Sequence, residues 1–228
     1  MVRRQKAKGI EGGAISNEQM VRPEVFLNCP FDVEYHPMYE AIVFTVMALG
    51  FQIRVAKEVE DSSQSRLAKI IEIIREAPLG IHDLSRVGLD PHTGVARFNM
   101  PLELGLFLGA KAFGARAQKA KVALILDTVR DRHRDTTSDL AGNDIQYHAD
   151  DPEIAAIKVR DWLAANALGR RSLPGARMLI EHYRKFTDDF PKIRDRLGHY
   201  DNVPYRDFLI IIRDWLQAAP LPQATSPH

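Results

Sequence analysis

Only one cysteine, Cys29, occurs in the 228 residues of this chain. A single thiol excludes an intrachain disulfide and any metal site built from several cysteines, and it is typical of proteins in a reducing cytoplasm. The longest apolar run, 41–51, is too short to span a bilayer, so no membrane segment is expected. The N-terminus lacks the apolar stretch of a secretory signal peptide. We therefore expect a cytoplasmic protein.

Several motifs of familiar nucleotide enzymes and hydrolases are missing as well. The chain contains neither GxGxxG nor GxxxxGKS/T, which disfavours the usual dinucleotide oxidoreductases and the P-loop enzymes. It contains no GxSxG, the nucleophile elbow of α/β-hydrolases. Its 8 histidines are scattered and form no cluster with acids at metal-ligand spacing. The sequence therefore predicts no metal site and no cofactor.

Charge of either sign is not in excess. Lys and Arg number 31 against 30 Asp and Glu, so the formal net charge is +1 and gives no general attraction to nucleic acid or anionic membrane. Hydrophobic residues make up 45% of the chain, enough for a substantial core at this length. The composition fits one large domain, or one domain with an appendage. At the termini we expect a mobile arm at 1–23 and a disordered tail at 220–228.

What the sequence does contain is an alternation of short apolar runs and helical patterns. Apolar runs predict strands at 24–31, 51–56, 79–85 and 120–128, with a short fifth strand near 145–147. Apolar residues at helical spacing predict helices at 34–50, 65–78, within 97–114, and at 152–167, 176–197 and 205–219. Strands joined by helices form parallel sheets through right-handed crossovers. The sequence therefore predicts a doubly wound, mostly parallel α/β domain of flavodoxin or Rossmann type at 24–150, with helices on both faces and a C-terminal helical extension at 151–219.

Ligands of such sheets bind beyond the carboxyl ends of the strands, near the point where the strand order reverses. Two carboxylates, Asp83 and Glu103, are expected on this rim as catalytic residues. The residues predicted to bind substrate at the same ends are Asn28, Pro30, Phe31, Arg54, Arg86, Arg97, Asn99 and Met100. Paired carboxylates beside cationic groups suit chemistry on a phosphorylated sugar.

The stretch RFNMPLELGLFLGAKAFG, 97–114, contains one acid in an otherwise apolar helix. A helix this apolar is expected to be buried, and a buried carboxylate is costly without partners. Glu103 either complements the helix macrodipole or faces a ligand, and its apolar surroundings favour the ligand. We expect it in the first or second turn, with Asn99 as the N-cap. Its carboxylate should face a cleft lined by the loop after the first strand, by Asp83 and by 97–99.

Several of these residues also have a purely structural interpretation. Asp83 caps a turn as readily as it binds a ligand. Arg54 and Arg86 suit salt bridges as well as phosphate binding. Arg97 and Asn99 could equally stabilise their own loop through hydrogen bonds within it.

Other residues near the predicted rim are expected to be structural. Cys29 should be buried rather than nucleophilic, and Tyr35 either stacks on a base or, more usually, packs in the core. Arg66 is expected on a helix surface, although a helix beginning at SSQSR also suits an anion. The aromatic and aliphatic residues expected in the core of the apolar helix are Phe107, Leu108 and Phe113.

Three segments, VFLNCPF, IHDLSR and RFNMPLELGLFLGAK, resemble the nucleoside 2-deoxyribosyltransferase family over 24–128. Proteins of that family have a first strand that runs into a Pro-Phe-like turn, an aspartate at the end of the third strand, and a glutamate followed by Leu-Gly on the next helix. The wider group is similar in architecture to TIR domains, which carry a glutamate on the same helix. The resemblance implies that Glu103 acts on the sugar, as a nucleophile at the anomeric carbon or as a contact to the ribose next to nicotinamide. It implies that Asp83 holds a sugar hydroxyl or the base.

The function that this resemblance implies is cleavage of the N-glycosidic bond of a nucleotide or an NAD-like substrate. Asn99, Met100 and Pro101 stand where the transferases commonly have Gly-Thr, which favours hydrolysis over base transfer. The alternative is a non-catalytic TIR-like domain that senses nucleotides or assembles in bacterial signalling or defence. Assembly of TIR-like domains also implies a homo-oligomer.

Overall fold

The computed structural model describes residues 22–58, 63–89, 94–130, 138–140, 142–166 and 172–221, and within them the predicted sheet is present. Its strands are β1 (Glu24–Asn28), β2 (Gln52–Arg54), β3 (Leu79–Asp83), β4 (Val122–Asp127) and β5 (Gln146–Tyr147). They lie in the order β2-β1-β3-β4-β5, and every neighbouring pair is parallel. The prediction of a doubly wound, parallel α/β fold is confirmed.

The predicted helices are present, with ends within a few residues of the predicted ones. They are α1 (His36–Ala48), α2 (Arg66–Glu76), α3 (Asn99–Phe113), α4 (Arg116–Lys119), α5 (Pro152–Asn166), α6 (Ala176–Arg196) and α7 (Tyr205–Ala218). The short α4 was not predicted from the apolar pattern. None of the helices within the described ranges is long and apolar enough to cross a membrane.

Helices cover both faces of the sheet, as the unbroken apolar strands require. All five residues of β3 are buried. On one face, α2 and α3 pack Ile70, Ile73 and Phe107 around Phe26 of β1. On the other face, α1 is apolar nearly all round because the sheet lies on one side of it and α5, α6 and α7 lie on the others.

The C-terminal helices share this second core rather than standing apart from it. Phe44 of α1 stacks on Phe186 of α6 with ring centroids 5.0 Å apart, and Ile212 of α7 is fully buried in the same cluster. Packing is thus continuous across the predicted boundary between 150 and 151, and that division into domains stays a prediction. The predicted arm and tail lie almost entirely outside the described residues, which begin at Arg22 and end at Leu221.

Two expectations about α3 are wrong. Asn99 is the first helical residue, and the N-cap is Phe98, which makes no side-chain cap bond. The reason is that Pro101 has no N–H and the N–H of Leu102 already donates to the Phe98 carbonyl at 3.0 Å, so neither is open to an Asn99 cap. Phe113 is 92% exposed, because it is the last residue of α3 and a helix with 3.6 residues per turn places it about 120° around the axis from the buried Phe107.

Candidate functional site

The strand order reverses between β1 and β3, and this places their carboxyl ends side by side. Asn28 is the last residue of β1 and pairs in register with His82, and Asp83 ends β3. The side chains of all three are buried. In doubly wound sheets this reversal is where a crevice forms and ligands bind. The candidate site is therefore built on the ends of these two strands and on the first turns of α3, which begins after them.

Glu103 lies in the second turn of α3 and is only 6% exposed. Among the described residues, no hydrogen bond or ion pair reaches its carboxylate. Burial raises the pKa of Glu103 to about 7, and the charge of Arg66 at the start of α2 acts in the opposite direction. A carboxyl group with this pKa changes its charge near neutral pH, and such groups cluster at functional sites. Burial raises the pKa of Glu40 on α1 to about 7 as well, so the pKa of Glu103 identifies a site only together with its position on the fold.

Cys29 connects Glu103 to the loop after β1. Burial raises the pKa of the Cys29 thiol, and the charges of Asp83 and Glu103 raise it further, while Lys57 lowers it. Both carboxylates are therefore near the first residue after β1. The thiol is buried, as predicted, and it is electrostatically disfavoured as a thiolate. That Cys29 is not a nucleophile stays a prediction.

Asn28 ties the end of β1 directly to the beginning of α3. Its side-chain amide donates to the carbonyl of Met100 at 2.9 Å and lies 3.1 Å from Nδ1 of His82. A carbonyl only accepts, so the amide nitrogen must face Met100 and Nδ1 of His82 must be the acceptor. Burial lowers the pKa of His82 to about 3, so its ring is neutral and carries its proton on Nε2. The hydrogen bond from Asn28 to Met100 fixes the first turn of α3 beside the ends of β1 and β3, and Glu103 follows in the next turn.

Asp83 is fully buried and is surrounded by donors. The Tyr35 hydroxyl donates to Oδ2 at 2.6 Å, the backbone N–H of Ser85 donates to Oδ1 at 2.8 Å, and Nε2 of His148 lies 3.1 Å from Oδ2. Burial on its own would raise the pKa of Asp83, but His148, Ser85 and Tyr35 outweigh it and the pKa is lowered. Asp83 is thus an ionised anchor for three segments of the chain. Tyr35 packs in the core, which confirms the more usual of its two predicted roles.

A tight turn after β5 orients His148 toward Asp83. Ala149 and Asp150 both adopt left-handed backbone conformations, with φ of 53° and 61°. This turn brings the backbone N–H of Asp150 to within 3.1 Å of Nδ1 of His148, so Nδ1 accepts and Nε2 faces Asp83. Two consecutive non-glycine residues in this conformation are strained, which the contact with Asp83 offsets.

Two of the three predicted rim arginines, Arg86 and Arg97, lie beside Asp32 in the loop after β1. Arg97 donates to Oδ2 of Asp32 at 2.8 Å, and Nε of Arg86 lies 4.0 Å from Oδ1. Asp32 also accepts from the backbone N–H of Tyr35 at 3.1 Å, as the cap of the short helical turn before α1. Arg86 and Arg97 are brought together as predicted, and both remain partly exposed beside this acid.

The remaining predicted substrate contacts are dispersed. Arg54 lies in an ion-pair cluster with three carboxylates, those of Glu24, Glu58 and Glu76, and this geometry gives it a structural role. Pro30 is buried and Phe31 half-buried in the loop after β1, Met100 is buried with its carbonyl bound to Asn28, and Asn99 is exposed. Their roles in binding stay predictions.

Two cations that act on groups of this region, Arg66 on Glu103 and Lys57 on Cys29, were not among the predicted site residues. Arg66 begins α2, whose N-cap Ser65 accepts from the backbone N–H of Ala68 at 3.2 Å, and its charge reaches Glu103. Lys57 follows β2, and its charge reaches Cys29. The SSQSR helix start was the available signal for Arg66, but nothing local in the sequence shows that α2 begins opposite α3.

Comparison with protein-family models gives no match, and comparison with characterised protein sequences gives none. In the described ranges, no group of three or more His, Cys, Asp or Glu side chains is arranged to hold a metal ion. What the site offers chemically is a buried, titratable carboxyl on α3, on which the charge of Arg66 acts, together with an ionised Asp83 at the end of β3. The cleft in front of Glu103 stays a prediction.

Proposed function

We propose that this chain cleaves the N-glycosidic bond of a nucleotide, with Glu103 as the group that meets the anomeric carbon of the sugar. The observation that carries the proposal is a buried carboxyl at the reversal of strand order, with no hydrogen bond or ion pair to any described residue. Such a group costs folding free energy and is compensated only when a ligand supplies the opposite charge. A sugar that develops oxocarbenium character supplies that charge.

The reaction follows from the charge of Glu103. The bond between C1′ and the base nitrogen breaks, its electron pair leaves with the base, and the ionised carboxylate stabilises the positive charge at C1′. Water then adds its oxygen to C1′ and gives up a proton. Because burial raises the pKa of Glu103 to about 7, only part of the protein carries the reactive carboxylate at neutral pH. Turnover should therefore rise with pH through this range.

Whether Asp83 is ionised decides whether it can protonate the leaving base. Its lowered pKa and its three donors suit an acceptor that stays ionised, not an acid that protonates a departing base. We assign Asp83 to positioning Tyr35 and the turn at Ser85. A base that leaves without needing a proton fits such a site best, as a positively charged pyridinium ring of an NAD-like substrate does.

The test is to incubate the protein with NAD and with a series of nucleoside monophosphates and to measure free base by chromatography. We expect release from at least one of them, and release from NAD above all. In water enriched in ¹⁸O, hydrolysis places the label in the sugar product, whereas transfer to an added base does not. No free base from any of these compounds would reject the proposal.

A second candidate function, an assembly domain without turnover, is favoured by one observation. Three large apolar side chains near the start of α3 are exposed: Leu89, Phe98 and Leu102. Phe98 and Leu102 share one helix face, four residues apart. If this face mediates self-association, light scattering after size exclusion will give a mass above 25.8 kDa, and Leu102→Glu will return it to the monomer value. A wild-type monomer would remove this candidate.

A further inference from the structure

A cavity of about 840 Å³ lies between the loop after β1 and the segment that leads into α7. Neither Glu103 nor Asp83 lines it. Its size is within the range of small-molecule sites. One wall comes from the α/β sheet and the other from the C-terminal extension, and the two are joined where Arg206 donates to the carbonyl of Glu58 at 3.2 Å. The cavity is thus a property of the whole chain and does not depend on the proposed chemistry at Glu103.

Flat, apolar side chains form much of the cavity wall. The aromatic and proline residues among them are Phe31, Tyr39, Tyr205, Pro30, Pro37 and Pro204. Phe31 and Tyr39 meet edge to face, with ring centroids 5.9 Å apart. Rings and prolines arranged in this way favour a planar ring over a flexible chain, because stacking adds to the apolar area that is buried.

Both acids that line the cavity form ion pairs, and Arg194 is shared between Asp201 and Asp195. Asp32 is paired with Arg97 at 2.8 Å, and Asp201 is paired with Arg194 at 2.7 Å. Lys57 has no carboxylate partner within the described parts of the chain, and its ammonium lies 4.3 Å from the centre of the Phe31 ring. An anion bound at Lys57 would therefore lie beside a ring stacked on Phe31.

Tyr205 lines both this cavity and a neighbouring one beside Arg54 and Glu58, and its hydroxyl is a further polar group there. It is buried and makes no hydrogen bond to any described residue. Burial raises its pKa, so it remains a protonated donor. A buried donor without an acceptor is costly, and a ligand atom in the cavity would satisfy it.

We propose that this cavity binds a planar aromatic anion, with its ring against Phe31 and Tyr39, its negative charge on Lys57, and an acceptor atom at the Tyr205 hydroxyl. The class includes aromatic carboxylates and ring-bearing phosphates. The cavity shares Pro30 and Phe31 with the predicted substrate contacts, but neither Glu103 nor Asp83 lines it.

The experiment uses 2-naphthoate and the uncharged 2-naphthamide, which have the same ring and no sugar, so neither is a substrate for the proposed reaction. Calorimetric titration of the full chain should give a Kd for 2-naphthoate about tenfold lower than the Kd for 2-naphthamide. This difference is the effect of one charge-assisted contact. In Lys57→Gln the two Kd values should become equal, and Lys57→Arg should restore the difference. Phe31→Leu should weaken both ligands. Lys119→Gln, which removes an exposed lysine of α4, should leave both unchanged.

Three results would overturn the proposal. The first is the absence of naphthoate binding to the wild-type chain at millimolar concentration. The second is equal affinity for the two compounds in the wild type, or a preference that survives in Lys57→Gln. The third is unchanged binding of both in Phe31→Leu, which would place the ring elsewhere. Since free base release from nucleotides is measured separately, failure of the proposed enzymatic function would not change any of these outcomes.

Discussion

Replacing Glu103 with glutamine should make the protein more stable at alkaline pH and change little in acid. Burial raises the pKa of this carboxyl from its ordinary 4.5 to about 7, which corresponds to about 3 kcal/mol of destabilisation once the group is charged. Glutamine keeps the volume and has no charge to bury. At pH 8.5, Glu103→Gln should therefore raise the free energy of unfolding by about 3 kcal/mol.

The sign of the pH dependence follows from which state holds the proton. At pH values below 4.5 the folded and unfolded chains both carry a protonated Glu103, and the substitution has little effect. Between 4.5 and about 7 only the folded chain keeps the proton, so wild-type stability falls as the pH rises. Above pH 7 Glu103 is charged in both states, and the whole cost of burying its charge lowers the stability of the wild type. For a chain of this length the gain in Tm at pH 8.5 should be roughly 6–12 °C.

The assay is thermal and urea unfolding of both proteins at pH 4.5 and pH 8.5. Glu40 of α1 provides a control away from the strand ends, because burial raises its pKa to about 7 as well; unlike Glu103, it has a neighbour that is cationic when protonated, His36, with Nδ1 at 3.4 Å. Glu40→Gln should show the same stabilisation at high pH. A difference between Glu103→Gln and wild type that is equal at both pH values would mean that Glu103 has a partner in the folded chain. That result would contradict the inference that the Glu103 carboxylate has no partner until a ligand binds.

Three further changes test the framework around the site by urea unfolding at neutral pH. Asp83→Asn removes the charge that the donors of Tyr35, Ser85 and His148 face and should cost about 2 kcal/mol, whereas an unchanged midpoint would show that these contacts contribute nothing. Asn28→Ala leaves the Met100 carbonyl and His82 without their shared donor and should cost about 2 kcal/mol. Ala149→Gly relieves a left-handed backbone conformation and should stabilise by about 0.5–1 kcal/mol, and a loss of stability would contradict the strain at this turn.

The fold was predictable because its signals are local. Short apolar strands separated by helices at regular spacing specify parallel crossovers, and the switch point between β1 and β3 follows from them. The same reasoning located Asn28, Asp83 and Glu103 at one end of the sheet. Two predictions about α3 were wrong. Pro101 has no N–H to donate to an Asn99 cap, and Phe113 lies on a different face of the helix from Phe107.

Parts of the site depend on contacts that no local pattern records. His148 reaches Asp83 from 65 residues away in the chain, through the left-handed turn that follows it. Arg66 influences Glu103 only because α2 and α3 lie side by side on the same face of the sheet. The cavity at Lys57 needs Tyr205 from the C-terminal extension, whose position against α1 is set by tertiary packing. Charge alone would have suggested Arg54 for the site, yet three carboxylates hold it elsewhere.

The central claim is that the Glu103 carboxylate carries out the cleavage of an N-glycosidic bond, and the rate of nicotinamide release from NAD tests it most directly. The measurement compares wild type, Glu103→Gln and Glu40→Gln at pH 8.5, where Glu103 is ionised and all three proteins are folded. We predict that Glu103→Gln loses about 10³-fold in kcat, with the fold intact, and that Glu40→Gln retains the wild-type rate. Equal rates in wild type and Glu103→Gln would contradict the claim.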